Sequence, residues 1–204
     1  MNLDCPISRK IAQAARARFT HYGYCKTTMS EIAQDCNMSP GNIYRYFKAK
    51  LDIAEEIAVE HSEQRLEDAR KIVRNPSVGA VERLKTFLFE SLRQTYAVLA
   101  EDEKMFEVAQ ILSRERPEFA EKQLEKEKAL IAEILSAGNN QGEFNIADVV
   151  SAAGAIQSAT IKYRYSQLHS HLSLEKLEEE LSEVLTLLLS GLQCQAAKGG
   201  QASA

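Results

Sequence analysis

Apolar residues recur along this chain at intervals of three and four almost from end to end, the period of helices that bury one face. Ile11, Ala15 and Phe19 form an i, i+4, i+8 row with Ala14 beside it, which predicts a first helix over about residues 8–21, ended by Gly23. Thr28 and Glu31 spell a T-x-x-E capping box, opening a second helix whose inner face is Met29, Ile32, Ala33 and Cys36. Asn37 can take the left-handed backbone that closes such a helix. Ser39 is the next N-cap, with Pro40 at the first helical position, where a missing N–H costs nothing. This third helix is short and ends near Phe47.

The remaining segments are longer. A fourth helix runs from about residue 50 to Arg74 and stops at Asn75-Pro76. Val81, Leu84, Leu88, Leu92 and Leu99 mark a fifth, and residues 102–113 a sixth. A seventh begins at Pro117 and ends at the turn from Gly138 to Gly142. Asn145 caps an eighth over about 146–169, and Ser173 a ninth over about 174–193. The tail QAAKGGQASA is small and polar, which predicts disorder over 195–204. The pattern therefore predicts an all-α fold of about nine helices. A three-helix helix-turn-helix head occupies 1–50, and a larger helical domain occupies 51–194.

Composition narrows the function. Among 204 residues there are only nine Gly and four Pro, which suits long helices. No apolar run approaches the length of a membrane span, so no membrane partner and a cytoplasmic location are expected. Cys5, Cys25, Cys36 and Cys194 lie far apart without C-x-x-C spacing, and neither a metal site nor a disulfide framework is indicated. His169 and His171 stand two apart, a spacing that does not share a helix face. No H-E-x-x-H, nucleophile elbow or phosphate-cradling loop is present, so neither an enzyme nor a cofactor is expected. The charge is uneven. Residues 1–50 carry eight Lys/Arg against three Asp/Glu, giving +5, whereas 51–204 carry 17 against 26, giving −9. A basic head suits a polyanion.

At about 100° per residue, Ile43 and Phe47 of the third helix share one face and would pack on Ile32 and Ala33, with Tyr44 near the buried edge. Asn42, Arg45 and Tyr46 point the other way. A helix laid in the major groove of DNA presents its first residues to base edges. Arginine offers two parallel donors to guanine, and asparagine satisfies adenine in the same bidentate way. Gly41 lets the helix start at Pro40 come close, aiming backbone N–H groups at a phosphate. Tyrosine hydroxyls, Lys48 or Lys50, and Thr27 and Thr28 could hold the sugar-phosphate chain.

Gly23-Tyr24, Thr27-Thr28-Met29, Glu31-Ile32-Ala33 and the run SPGNIYRYFKAK together resemble the DNA-binding region of tetracycline-repressor (TetR/AcrR) type regulators over roughly residues 8–55. The resemblance places DNA contacts on Thr28, Ser39, Asn42, Tyr44, Arg45, Tyr46 and Lys50. With the residues reasoned above, the candidate set is Thr27, Thr28, Ser39, Pro40, Gly41, Asn42, Tyr44, Arg45, Tyr46, Lys48 and Lys50.

A unit this small grips DNA weakly alone, and such proteins dimerise on half-sites about 34–36 Å apart. Small residues Ala152, Ala155 and Ala159 of the eighth helix, with Leu177, Leu181, Val184, Leu185, Leu188 and Leu192 of the ninth, are the candidate homodimer interface; the same leucines could instead fill the monomer's core. Phe87, Phe89, Tyr96, Met105, Phe106, Gln110, Gln157 and Tyr163 are candidates to line a pocket for an unknown small-molecule effector, although such a stripe is also what a plain core contains. The resemblance implies a repressor on a palindromic DNA operator. Its effector would shift the fourth helix and release the DNA.

Overall fold

The computed structural model describes residues 5–101, 103–164 and 172–193. Among these are nine α-helices, as the periodicity predicts: α1 (Pro6–Tyr22), α2 (Met29–Asp35), α3 (Pro40–Ile43), α4 (Lys50–Val73), α5 (Ala80–Glu101), α6 (Glu103–Glu115), α7 (Pro117–Gln141), α8 (Val149–Thr160) and α9 (Leu174–Gln193). A 3-10 turn, Ile161–Arg164, follows α8. The expected tail over 195–204, Cys194, and the histidines His169 and His171 lie outside the described residues. No described helix is long and apolar enough to cross a membrane.

The chain divides into two compact units, residues 1–65 with 100–122, and residues 66–99 with 123–204. This differs from a boundary at residue 50, because α6 and the N-terminal part of α4 pack with the head. Ile11, Ala15 and Phe19 of α1, Ile32 and Ala33 of α2, Ile43, Phe47, and Ile53, Ala54 and Ile57 of α4 form the head core, joined by Val108 and Leu112 of α6. Burying a large aliphatic or aromatic side chain of this kind contributes about 1.5–3 kcal/mol. Polar links fasten the same elements. Lys104 Nζ donates to His21 O at 2.5 Å. Arg116 donates to Asp52 Oδ1 at 2.7 Å and to Glu55 Oε2 at 2.5 Å, while Asp52 Oδ2 accepts from Ala49 N and so caps α4.

The second unit holds its own core, including Leu84, Phe87, Leu88 and Leu92 of α5, Ile131, Ile134 and Leu135 of α7, Ala153 and Ile156 of α8, and Leu177, Leu181 and Leu185 of α9. Gly138 does not end α7, which runs on to Gln141. It is a close-approach site: a Cβ there would lie 2.2 Å from Phe144 Cδ2. Nor does Asn145 start α8. The Asn139 side chain donates to Ile146 O and accepts from Ile146 N, at 2.8 and 3.0 Å, which holds Ile146 out of a helix. The helix begins three residues later under Asp148, whose Oδ1 accepts from Ser151 N at 3.0 Å.

Candidate nucleic-acid interface

Local chemistry builds the head from the backbone up. Gly23 closes α1 at φ 88°, donating its N–H to Phe19 O. Thr28 and Glu31 form the complete capping box: Thr28 N donates to Glu31 Oε2 at 2.8 Å and Glu31 N donates to Thr28 Oγ1 at 3.3 Å. These bonds, the Thr28 hydroxyl first, hold the Glu31 carboxyl below its ordinary range. Asn37 adopts φ 55°, the left-handed conformation expected at the end of α2. Arg18 of α1 grips α2 by donating from Nε and Nη2 to the two oxygens of Asp35, at 2.5 and 3.0 Å, which lowers the pKa of that carboxyl.

The second helix of the pair is a single turn. After Ile43 two hydrogen bonds step back three residues, from Arg45 N to Asn42 O and from Tyr46 N to Ile43 O, before Phe47 N closes four back on Ile43 O. In such a turn residues three apart eclipse. Tyr46 therefore follows Ile43 toward the core and is half-buried against it, while Tyr44 is turned out and 46% exposed. This reverses the tyrosines' expected places, because the tight turn over residues 44–46 departs from the 100° wheel, although Phe47 still joins Ile43 in the core as the wheel predicts. Arg45 is exposed, and its side chain makes no hydrogen bond or ion pair among the described residues. Asn42 is half-exposed with its amide free of side-chain bonds, and Ser39 caps nothing with its hydroxyl. Pro40 and Gly41 are exposed, and a Cβ on Gly41 would meet nothing within 4 Å.

Several candidates are occupied within the protein. Thr27 is 2% exposed and donates its hydroxyl to Gly23 O at 2.9 Å, so it braces the turn before α2 and faces no solvent. The Thr28 hydroxyl donates to Glu31 Oε2 at 2.8 Å inside the capping box. Lys50 Nζ donates to Tyr24 O at 2.5 Å and Thr27 O at 2.6 Å and lies 4.2 Å from the Tyr24 ring centre, with its pKa lowered by burial. Its ammonium ties the start of α4 to the turn before α2. Lys48 is exposed and bonds Tyr44 O at 3.3 Å. Lys26, outside the candidate set, is an exposed cation two residues before Thr28, and its sequence signal is a lysine standing directly ahead of the capping threonines.

In the body, Leu177, Leu181 and Leu185 are 0%, 0% and 2% exposed and fill the unit's own core, so they are not available as an interface. A helix turns its most regular apolar stripe inward first. Ala152, Val184, Leu188 and Leu192 are half-buried. Ala155 and Ala159 of α8 are exposed, as are Val150 at 65% and Leu187 at 76%, the last two outside the expected set. The eight pocket candidates do not gather in one unit. Met105, Phe106 and Gln110 belong to the head unit, where Met105 packs on its core and Gln110 is exposed. Phe87 and Tyr163 are buried in the body core, with Phe89 and Tyr96 packed against it. Gln157 Nε2 donates to Leu124 O at 2.7 Å.

A family model described as "Bacterial regulatory proteins, tetR family" matches residues 11–57. A second, described as "Tetracyclin repressor-like, C-terminal domain", matches residues 80–185. The chain belongs to the TetR family. It is a family of helix-turn-helix transcriptional regulators and not of enzymes. The chain is 26% identical over 136 residues to the uncharacterized HTH-type regulator YfiR of Bacillus subtilis, an alignment covering 66% of each chain. It is 43% identical over 53 residues to the uncharacterized HTH-type regulator YhgD of the same organism, covering 25% of this chain and 28% of that one. Among solved structures, a TetR/AcrR regulator from Thermobifida fusca shares the fold with a TM-score of 0.66 at 24% identity, over 90% of this chain and 97% of that one. FadR from Bacillus subtilis, solved with stearoyl-CoA, matches at 25% identity and a TM-score of 0.63, over 90% and 98%.

Proposed function

We propose that this TetR-family chain is a ligand-responsive cytoplasmic repressor that binds a palindromic operator as a homodimer and lets go when a small molecule enters its helical body. The observation that carries the DNA half is Arg45. It is a solvent-facing guanidinium with no partner among the described residues, one residue past the cap of a one-turn helix, near the Asn42 amide, which is likewise without a side-chain bond there. Both side chains can form bidentate contacts with bases. Ser39, Tyr44, Lys48 and Lys26 would hold the phosphates around them, and phosphate contacts set register without choosing sequence.

Dimerisation through the outer faces of α8 and α9 is supported by exposed Val150, Ala155, Ala159 and Leu187, apolar positions that the body's own core leaves uncovered. The effector half is supported by FadR, which holds an acyl-CoA on a similar chain, and by α4, a continuous helix that contributes residues to both units. An effector that prefers the DNA-incompetent state weakens DNA binding by the same factor by which DNA weakens the effector.

The test is a titration of the purified chain against duplexes from the DNA flanking its own gene, across a range of salt. The reading expects a preferred inverted repeat and a log affinity that falls linearly with log salt. Equal, salt-insensitive affinity for every duplex would remove it.

A further inference from the structure

The body contains a side chain whose hydrogen-bonding capacity the fold leaves open. Arg164 ends the 3-10 turn after α8, and its side chain is only 5% exposed. Nη1 donates to Glu127 of α7, and the guanidinium carbon stands 5.5 Å from the Phe87 ring centre. The other two nitrogens, Nε and Nη2, are shielded from solvent and have no hydrogen-bond partner among the described residues. A guanidinium does not give up its proton in a protein, so both remain donors. A buried donor left unpaired is among the more costly features a fold can carry, and it calls for an explanation.

The identity of the two nitrogens matters. Nε and Nη2 form one edge of the planar group, a pair of parallel N–H bonds spaced to meet the two oxygens of a carboxylate. Arg18 and Arg74 use that edge in the same way. Arg18 sets Nε and Nη2 on the two oxygens of Asp35, and Arg74 sets them on Glu133 at 2.9 and 3.4 Å. There the protein supplies a carboxylate to that edge; at Arg164 its carboxylate, Glu127, meets only Nη1, and among the described residues none meets the edge. Arg83 makes the contrast. It too is buried, yet Nη1 reaches Val73 O and Nη2 reaches Gln141 Oε1, leaving one nitrogen, Nε, unpaired and no fork. Arg83 is a brace between the ends of α4 and α7.

We propose that the body binds a carboxylic acid whose carboxylate accepts both hydrogen bonds from the Nε/Nη2 edge of Arg164. A singly charged head fits better than a phosphate. Glu127 shares the guanidinium's single charge and the nearby cation Lys162 is taken by Glu180, so every anionic head competes with Glu127 and a carboxylate competes with the smaller charge. A dianion would bring twice as much uncompensated negative charge as a carboxylate into the same buried place. Because both nitrogens are out of solvent, the acid enters by parting the side chains around them. The two donors that are unpaired in its absence are satisfied in its presence, which makes the bound arrangement differ in free energy from the unbound one. This inference rests on reading the body as the effector unit, and names the ligand's polar group.

Calorimetric titration of the full chain with acetate, hexanoate, decanoate and benzoate tests it, with decan-1-ol and benzyl alcohol as tails without a carboxylate. Charge-assisted hydrogen bonds of this kind correspond to about tenfold to a hundredfold in affinity, so at least one acid should bind that much more tightly than its alcohol. Arg164→Met should erase the difference, and Arg164→Lys, which keeps charge but lacks the fork, should not restore it. Glu127→Gln, which removes the competing carboxylate and leaves Arg164 in place, should tighten acid binding and leave the alcohol unchanged. The inference falls if no acid outbinds its alcohol on the wild-type chain, if folded Arg164→Met holds the acid as well as wild type, or if Glu127→Gln fails to tighten it. Operator binding by the ligand-free chain separates the two readings. Intact DNA binding with no acid preference sinks the carboxylate alone, and absent DNA binding sinks the repressor reading whatever the acids do.

Discussion

Replacing Lys50 with Met keeps the side chain's apolar stem and removes its ammonium. Two bonds to backbone carbonyls are lost, at 2.5 Å to Tyr24 and 2.6 Å to Thr27, together with the cation over the Tyr24 ring at 4.2 Å. A hydrogen bond to a charged group contributes about 1.5–3 kcal/mol, and a cation–π contact at a part-exposed site about 0.5–1 kcal/mol. Burial lowers the Lys50 pKa, so part of that gain offsets desolvation of the ammonium. The net loss expected for Lys50→Met is therefore about 2–4 kcal/mol, at the low end if water reaches the freed carbonyls. Urea unfolding should show it as a lower midpoint with an unchanged slope. The second readout is DNA. A lysine that neutralises one phosphate contributes about 0.9 to the slope of log affinity against log salt. With its ammonium occupied inside the head, Lys50→Met should leave that slope where it was. A variant of undiminished stability whose slope falls by about 0.9 would refute the internal role and return Lys50 to the phosphates.

Three further substitutions or conditions probe other parts of the account. Gly41→Ala meets no atom of the protein, so it should raise head stability by up to about 1 kcal/mol on helix propensity while weakening operator affinity if DNA comes close to the backbone there; unchanged affinity would show that it does not. Gly138→Ala places a methyl 2.2 Å from Phe144 and should lower body stability by about 1–3 kcal/mol, the usual cost of overpacking, as read by thermal unfolding. Asp35 and Glu31 both have depressed pKa values in the folded head. Their contribution is complete above the ordinary carboxylate range and is lost as pH falls through the lower folded values. Helicity followed during acid titration should therefore show the wild-type head losing stability below about pH 4.5, with Asp35→Asn already weaker at neutral pH and less sensitive to acid.

The head was legible in the sequence because its determinants are local. Thr28 and Glu31 are three residues apart, Pro40 opens α3, and Asn37 closes α2, each by its own chemistry. The direction in which its side chains point was less so. A wheel that pairs Tyr46 with Arg45 needs a regular α-helix to Phe47, and the tighter turn over residues 44–46 exchanges the two tyrosines. In the body the apolar period marked α9 at its observed ends but not which of its leucines serve the unit's own core. Leu187-Leu188-Leu189 cannot share one face, and only packing decides which is left out at 76% exposure. The least legible features join residues far apart in the chain. Glu143 accepts from Ala80 N at 2.7 Å and Val81 N at 3.1 Å, capping α5 across 63 and 62 residues. Arg164 meets Glu127 across 37, and no local pattern announces either pairing.

The measurement that bears most directly on the DNA-reading face is the base preference of Arg45→Ala, determined by titrating the variant against the operator and against each single-base substitution of one half-site. The account predicts a loss of about 1–3 kcal/mol on the native operator, relaxed discrimination at one base position, and unchanged folding stability. An Arg45→Ala protein that keeps both the affinity and the full base preference of the wild type would contradict it.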